Sequence, residues 1–186
     1  MNTVEFIRQS LGQVHYRLTL TCGQVTPEQV LWRPAPHANN IGFILWHVAR
    51  AQDNLASRLA GATSLWESKL WYVQFGQPKD ALDPGDRMGL QALPLPDLGT
   101  LTAYLNAAHQ RLVHVVLAQT SASLDAVPNA SRPLETVAAL LRHQITHQNN
   151  HHGQIDFIRG LQDTAWDLPP GTGMVMPVGN ESLRPG

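Results

Sequence analysis

The chain has 186 residues, 43% of them apolar and only 15% charged, and 13 Lys and Arg against 14 Asp and Glu leave a net charge of -1. That length suits a single domain over 1–186 with a substantial core, and the low charge excludes a disordered chain. The even charge balance excludes the basic footprint that grips a phosphate backbone, so no nucleic-acid partner is expected.

No apolar run approaches the ~20 residues that cross a bilayer, so no membrane partner is expected either. The opening Met1-Asn2-Thr3-Val4-Glu5 lacks the basic-then-apolar pattern of a secretory signal, and the chain reads as cytoplasmic. Cys22, the single cysteine, cannot close an internal disulfide, which fits a reducing compartment and removes a cysteine metal cage from consideration.

From Thr3 to about Cys22, the residues Val4, Ile7, Leu11, Val14 and Leu18 recur at helical spacing, and Gly23 follows as a stop, predicting a first long helix over 3–22. Thr26-Pro27-Glu28-Gln29 sets a capping residue before a proline at the first helical position, which starts a short connector that Pro34 and Pro36 end. Asn39 or Asn40 caps a second long helix over 40–60, striped by Ile41, Ile44, Leu45, Val48 and Leu55 and ending near Gly61. From Ala62 to about Leu98 the chain is broken by Pro78, Pro84, Pro94 and Pro96, predicting a long crossover with one helical turn around Trp66, of a length that often serves as a lid.

Leu101, Leu105, Ala108, Leu112, Val115 and Val116 stripe a third helix over 99–119, and Ser131-Arg132-Pro133-Leu134-Glu135 opens a fourth over 132–159. The tail 160–186, with Pro169, Pro170, Gly171 and Gly173, is too rich in breakers for regular structure. No stretch alternates with strand periodicity. The pattern predicts an all-α four-helix bundle with a long crossover between helices two and three, an architecture whose facing helices build metal sites.

Nine histidines make their placement the main question. His143, His147, His151 and His152 share the fourth predicted helix. Helical positions four apart lie about 40° from each other around the axis and ~6 Å along it, so two such imidazoles can converge on one ion. His143 and His151 are about 12 Å apart along the axis, too far for both to sit ~2.1 Å from a metal. One i,i+4 pair can therefore ligate, and a third ligand has to come from another helix.

His47 is the histidine in the middle of the second helix, among apolar neighbours, where a neutral imidazole needs a hydrogen-bond partner or a metal to offset its desolvation. The plain alternative is a satisfied core histidine. For His147 and His151 the plain alternative is an exposed polar face, since Gln148, Asn149 and Asn150 lie between them. A zincin site is excluded, because Gln148 stands where that motif needs a glutamate base.

These residues resemble those of the DinB/YfiT-like metalloenzymes, four-helix bundles that include bacillithiol and mycothiol S-transferases and a mycothiol-dependent maleylpyruvate isomerase domain. The family's Leu-Trp-His on the second helix is matched by Leu45-Trp46-His47, and its His-x3-His followed by Gly-Gln is matched by His147, His151, Gly153 and Gln154. The approach Trp32-Arg33-Pro34-Ala35-Pro36 to Asn39-Asn40-Ile41-Gly42 is similar as well, and the likeness runs over nearly the whole chain. It implies a divalent metal, nickel or zinc, held by His47, His147 and His151 with open coordination positions, in a protein that pairs as a homodimer.

Three neutral imidazoles leave the charge of such an ion uncompensated, which lowers the pKa of a bound water or thiol toward neutrality. The resemblance thus implies a thiol-dependent S-transferase that activates a low-molecular-weight thiol co-substrate toward a small-molecule electrophile. A metal-dependent hydrolase is the alternative among enzymes. A non-catalytic metal-binding or sensing dimer is the alternative outside them, because no carboxylate base adjoins the histidines in sequence.

Helix angle places Gln154 near the face of His147 and one turn beyond His151, and gives Asn54 the same relation to His47; each either supports the ligands or bonds between helices. His152 points ~100° away from His151 and is not expected to ligate. Gly153 reads as a close-packing position for another helix or a dimer mate. Arg50 is either solvated or a carboxylate binder. Trp66, Trp71, Tyr72 and Phe75 either roof the site or cover the end of the core. His15, His37, His109, His114 and Cys22 read as ordinary, Cys22 as a small buried residue.

Overall fold

Each long helix begins where a side-chain oxygen takes up a free N–H of the first turn. In a computed structural model, described over residues 1–80, 83–170 and 172, Asn2 accepts from Glu5 N at the start of α1 (Thr3–Cys22). Thr26 forms a reciprocal capping box with Gln29 on the short α2 (Pro27–Leu31), and Asn40 accepts from Phe43 N at 2.7 Å to open α3 (Ile41–Ala60), which closes on Gly61 in the left-handed conformation. The crossover carries three short helices, α4 (Leu65–Ser68), α5 (Trp71–Phe75) and α6 (Arg87–Gln91), where the proline and glycine pattern predicts one. Asp97 caps α7 (Leu98–Leu117), a single turn α8 (Ser121–Leu124) follows, and Thr136 caps α9 (Val137–Gln162).

Both ends of the last helix differ from the sequence reading. The last helix begins at Val137 rather than at 132, because 132–135 form a turn closed by Glu135 N donating to Arg132 O, and Thr136 then supplies an extended cap whose hydroxyl accepts from Ala139 N. It also runs past Gly160 to Gln162: Arg159 donates to Gln29 Oε1 and stacks on Trp166, and Gln162 donates to Gln29 O, so tertiary partners hold the final turn. The irregular tail thus starts at 163, and its residues 171 and 173–186 lie outside the described residues. α7 is shifted by one or two residues from the expected 99–119.

The fold is all-α: no strand occurs among the described residues, and no helix among them is long and apolar enough to cross a membrane. The four long helices pack side by side, α1 against α7 and α9, and α3 against the same two. Their apolar stripes meet in two clusters. One, around Leu18, Ile44, Leu105 and Ile155, continues under the crossover; the other, around Leu11, Leu55, Leu112 and Leu141, fills the opposite end. α2 lies so close on the start of α3 that a Cβ at Gly42 would meet Val30 Cγ1 at 2.9 Å.

A charged anchor ties the crossover to the bundle. Asp53, fully buried in α3, accepts from Leu65 N and Trp66 N at the start of α4, from Tyr104 Oη and from Arg111 Nη1. Trp66, Trp71 and Phe75 gather around the Tyr104 ring, and Arg50 lies over Trp66 at 4.3 Å. The crossover aromatics therefore cover the end of the core, and Arg50 is engaged with them.

Candidate metal centre

His47 stands in the first half of α3, and His147 and His151 stand one turn apart on α9, so the packing of α9 on α3 decides whether the three meet. They do. His47 Nε2 lies 2.9 Å from His147 Nε2, which lies 3.1 Å from His151 Nε2, and one ligand atom from each ring falls within 4.8 Å of the others. All three rings are half-buried. Nitrogens this close can both lie ~2.1 Å from one ion, the usual metal–imidazole distance.

Protonation fits the same use. Burial lowers His47 to about 4 and His147 to about 3, and the neighbouring imidazoles push in the same direction; burial also lowers His151, against a hydrogen bond to Gln154 that raises it. At neutral pH the rings are uncharged, with lone pairs available. His151 Nδ1 lies 2.9 Å from Gln154 Oε1; because the amide oxygen only accepts, Nδ1 carries the proton and Nε2 faces the cluster as a lone pair. His147 Nε2 lies between two other ring nitrogens, a crowding that a cation relieves. The donor set is three imidazoles and suits a divalent transition ion.

The model of the DinB superfamily matches residues 10–155. The chain belongs to the DinB superfamily. Among solved structures, the crystal structure of a conserved protein from Enterococcus faecalis is similar over 87% of this chain and 97% of that one, with 25% identity and a TM-score of 0.78. Among curated proteins, none matches.

Within this DinB-superfamily chain the other singled-out residues divide. Gln154 orients His151, one of the two roles its helix angle allows. His152 is buried and pairs with Thr21 Oγ1 on α1 at 2.9 Å, so it holds α9 to α1 and stands apart from the cluster. His143 is exposed, its ring centroid 5.9 Å from that of His147, on the wall of an open cleft of about 290 Å³ between α3 and α9. Asn54 lines the same cleft, while none of Trp66, Trp71, Tyr72 and Phe75 does. A Cβ at Gly153 would meet nothing within 4 Å, so no helix among the described residues packs there, contrary to one of the two expectations for it.

Cys22 is buried, and burial pushes its thiol up to about 12, away from nucleophile chemistry. His37 and His114 are exposed. His15 and His109 are not ordinary: their rings stack with centroids 3.9 Å apart and planes within 2°, and His15 Nε2 donates to Asn106 Oδ1. Burial lowers His15 to about 4 and His109 well below the usual histidine range. Two residues with a bearing on function escape the sequence reading, Asp53 and Gln144. The signal for Asp53 is an acid inside an otherwise apolar helix stripe; Gln144 gives none, since glutamine is common on polar helix faces.

Proposed function

We propose that the chain is a metal-dependent enzyme, a thiol-dependent S-transferase in which His47, His147 and His151 hold a divalent ion, nickel or zinc, and a low-molecular-weight thiol is the co-substrate. The observation that carries this reading is the convergence of three uncharged imidazole nitrogens from α3 and α9, ligands separated by 100 residues of chain. When bound, the ion supplies Lewis acidity that lowers the pKa of a thiol or water reaching it. The residues do the rest. The three neutral rings leave the positive charge uncompensated, Gln154 holds the tautomer and direction of His151, and the α3–α9 cleft beside His147 receives the thiol co-substrate.

The cluster contains imidazoles alone, and this favours thiol over water. A free thiol ionises near pH 8.5 and needs little help to lose its proton, whereas bulk water, at about 15.7, usually needs a positioned base in addition to the metal. In the transfer itself sulfur bonds to the electrophilic carbon, the leaving group departs with its electron pair, and the thiol proton passes to solvent. A homodimer in the cytoplasm, acting on small molecules and not on nucleic acid, completes the reading; the single free cysteine supports the reducing compartment and the charge of -1 the exclusion of nucleic acid.

Elemental analysis of purified wild type against His147→Ala tests the centre: wild type carries close to one ion per chain and the variant loses most of it, while equal content in both removes the assignment. Incubating metal-loaded protein with a thiol and a chloro-nitroaromatic acceptor tests the chemistry. Metal-dependent thioether and chloride formation is expected; its absence with every thiol tried favours a sensing role.

A further inference from the structure

Gln144 is 4% exposed and borders the α3–α9 cleft, yet its Nε2 has no hydrogen-bond partner. A buried amide N–H left unpaired costs free energy unless an acceptor fills the position. Across the cleft stands Arg58, whose one ion pair is a long contact of 3.8 Å to Glu135 with the guanidinium side chain 45% exposed. Leu55 and Leu140 supply apolar wall between these donors, and Asn54 adds a further amide. Arg58 is the one cation among these groups, Gln144 and Asn54 each carry an amide NH2 beside an amide oxygen, and the walls between them are apolar.

The cleft also has a direction. Gln144 precedes His147 by one helical turn, ~4.5 Å, and Leu140 by ~10 Å in all; Arg58 lies ~16 Å along α3 from His47, but helical side chains lean toward the N-terminus, which brings its guanidinium back toward the cluster. The volume, about 290 Å³, is at the small end of ligand clefts, which run roughly 300–1,000 Å³.

We propose that this cleft is a carboxylate subsite: Gln144 and Arg58 hold the acid group of an elongated amphipathic small molecule, Leu55 and Leu140 pack against its methylenes, and its thiol reaches the three histidines. The assignment of the reacting end rests on the metal-centre reading above; the carboxylate contact does not. Arg58 gives up its long contact with Glu135 for a closer, charge-assisted pair with the ligand.

Calorimetric titration of the nickel-loaded full chain with 6-mercaptohexanoate and 6-mercaptohexanol, alike in thiol and chain length, tests this. The acid is expected to bind roughly tenfold tighter, as for a charge-assisted hydrogen bond. Arg58→Gln and Gln144→Leu should each erase most of that preference, leaving metal content and 6-mercaptohexanol affinity unchanged; circular dichroism checks that both fold. Equal binding of the two thiols to wild type, or a preference that survives both substitutions because the acid binds nickel itself, overturns the subsite. A separate arm uses metal-free protein and hexanoate: the Gln144 side-chain amide resonance should shift in wild type and not in Arg58→Gln. Failure to load nickel overturns the metal reading alone, and the hexanoate arm still decides the subsite.

Discussion

Asp53→Asn is the substitution whose cost the structure prices most directly. Both carboxylate oxygens are fully buried and each takes two donors: Oδ1 from Leu65 N at 2.9 Å and Arg111 Nη1 at 3.1 Å, Oδ2 from Trp66 N and Tyr104 Oη, both at 2.9 Å. An asparagine amide keeps one of these oxygens. Whichever way it turns, its NH2 faces two donors, and each donor stranded in the interior costs about 1–3 kcal/mol. Arg111, whose side chain is 17% exposed, also loses its ion-pair partner while keeping its bond to Thr63 O. Two such donors cost about 2–6 kcal/mol, which spans the ~3–5 kcal/mol seen when one partner of a buried pair is removed. For a chain of this size that ~3–5 kcal/mol lowers the melting temperature by roughly 6–20 °C.

Urea unfolding followed by far-ultraviolet circular dichroism measures the loss, and limited proteolysis between α3 and α7 should speed up, because the substitution releases the start of α4. Nickel content should hold, since the anchor faces α4 and α7 while the histidines face α9. A loss below ~1 kcal/mol would refute the view that this carboxylate holds the crossover.

Gln154→Leu should weaken metal binding by about 10–100-fold in competition with a chromogenic chelator, by releasing the His151 tautomer; unchanged affinity means that Gln154 does not orient the ligand. In metal-free protein, unfolding free energy should fall as pH drops below ~6.5, because the unfolded chain then takes up protons that buried His15 refuses until about 4 and His109 until lower still. Both folded-state values are depressed, so their stability is present above the unfolded value and lost on acidification. A His15→Leu, His109→Leu double variant should flatten that slope by up to ~1.4 kcal/mol per pH unit for each proton removed, and an unaltered slope contradicts the burial argument. Gly153→Ala should stabilise the chain by about 0.5–1 kcal/mol, since the added methyl meets open space in a helix interior. Destabilisation together with a loss of dimer on size-exclusion chromatography would instead place a second copy against this face.

Local chemistry written into the chain determined most of the helices and narrowed the ligands. The stripe Ile7, Leu11, Val14, Leu18 and the caps Asn40 and Thr26 act within a turn or two of themselves, so their meaning survives without knowledge of the rest of the chain. The likeness around Leu45-Trp46-His47 and His147-x3-His151 singled out three imidazoles that the structure brings together, and it did so for the same reason, as each motif is continuous in sequence. What helical periodicity alone left open was which i,i+4 histidine pair faces His47. The rotation of α9 about its own axis decides that, and packing against α1 and α3 sets the rotation, turning His152 to Thr21, His143 to solvent and His147 with His151 inward. The carboxylate anchor at Asp53, the stacked His15 and His109, and the unpartnered amide of Gln144 were likewise settled by tertiary structure. Their neighbours in space are distant in sequence, and burial, which alone gives an unpaired polar atom its cost, does not exist until the helices have packed.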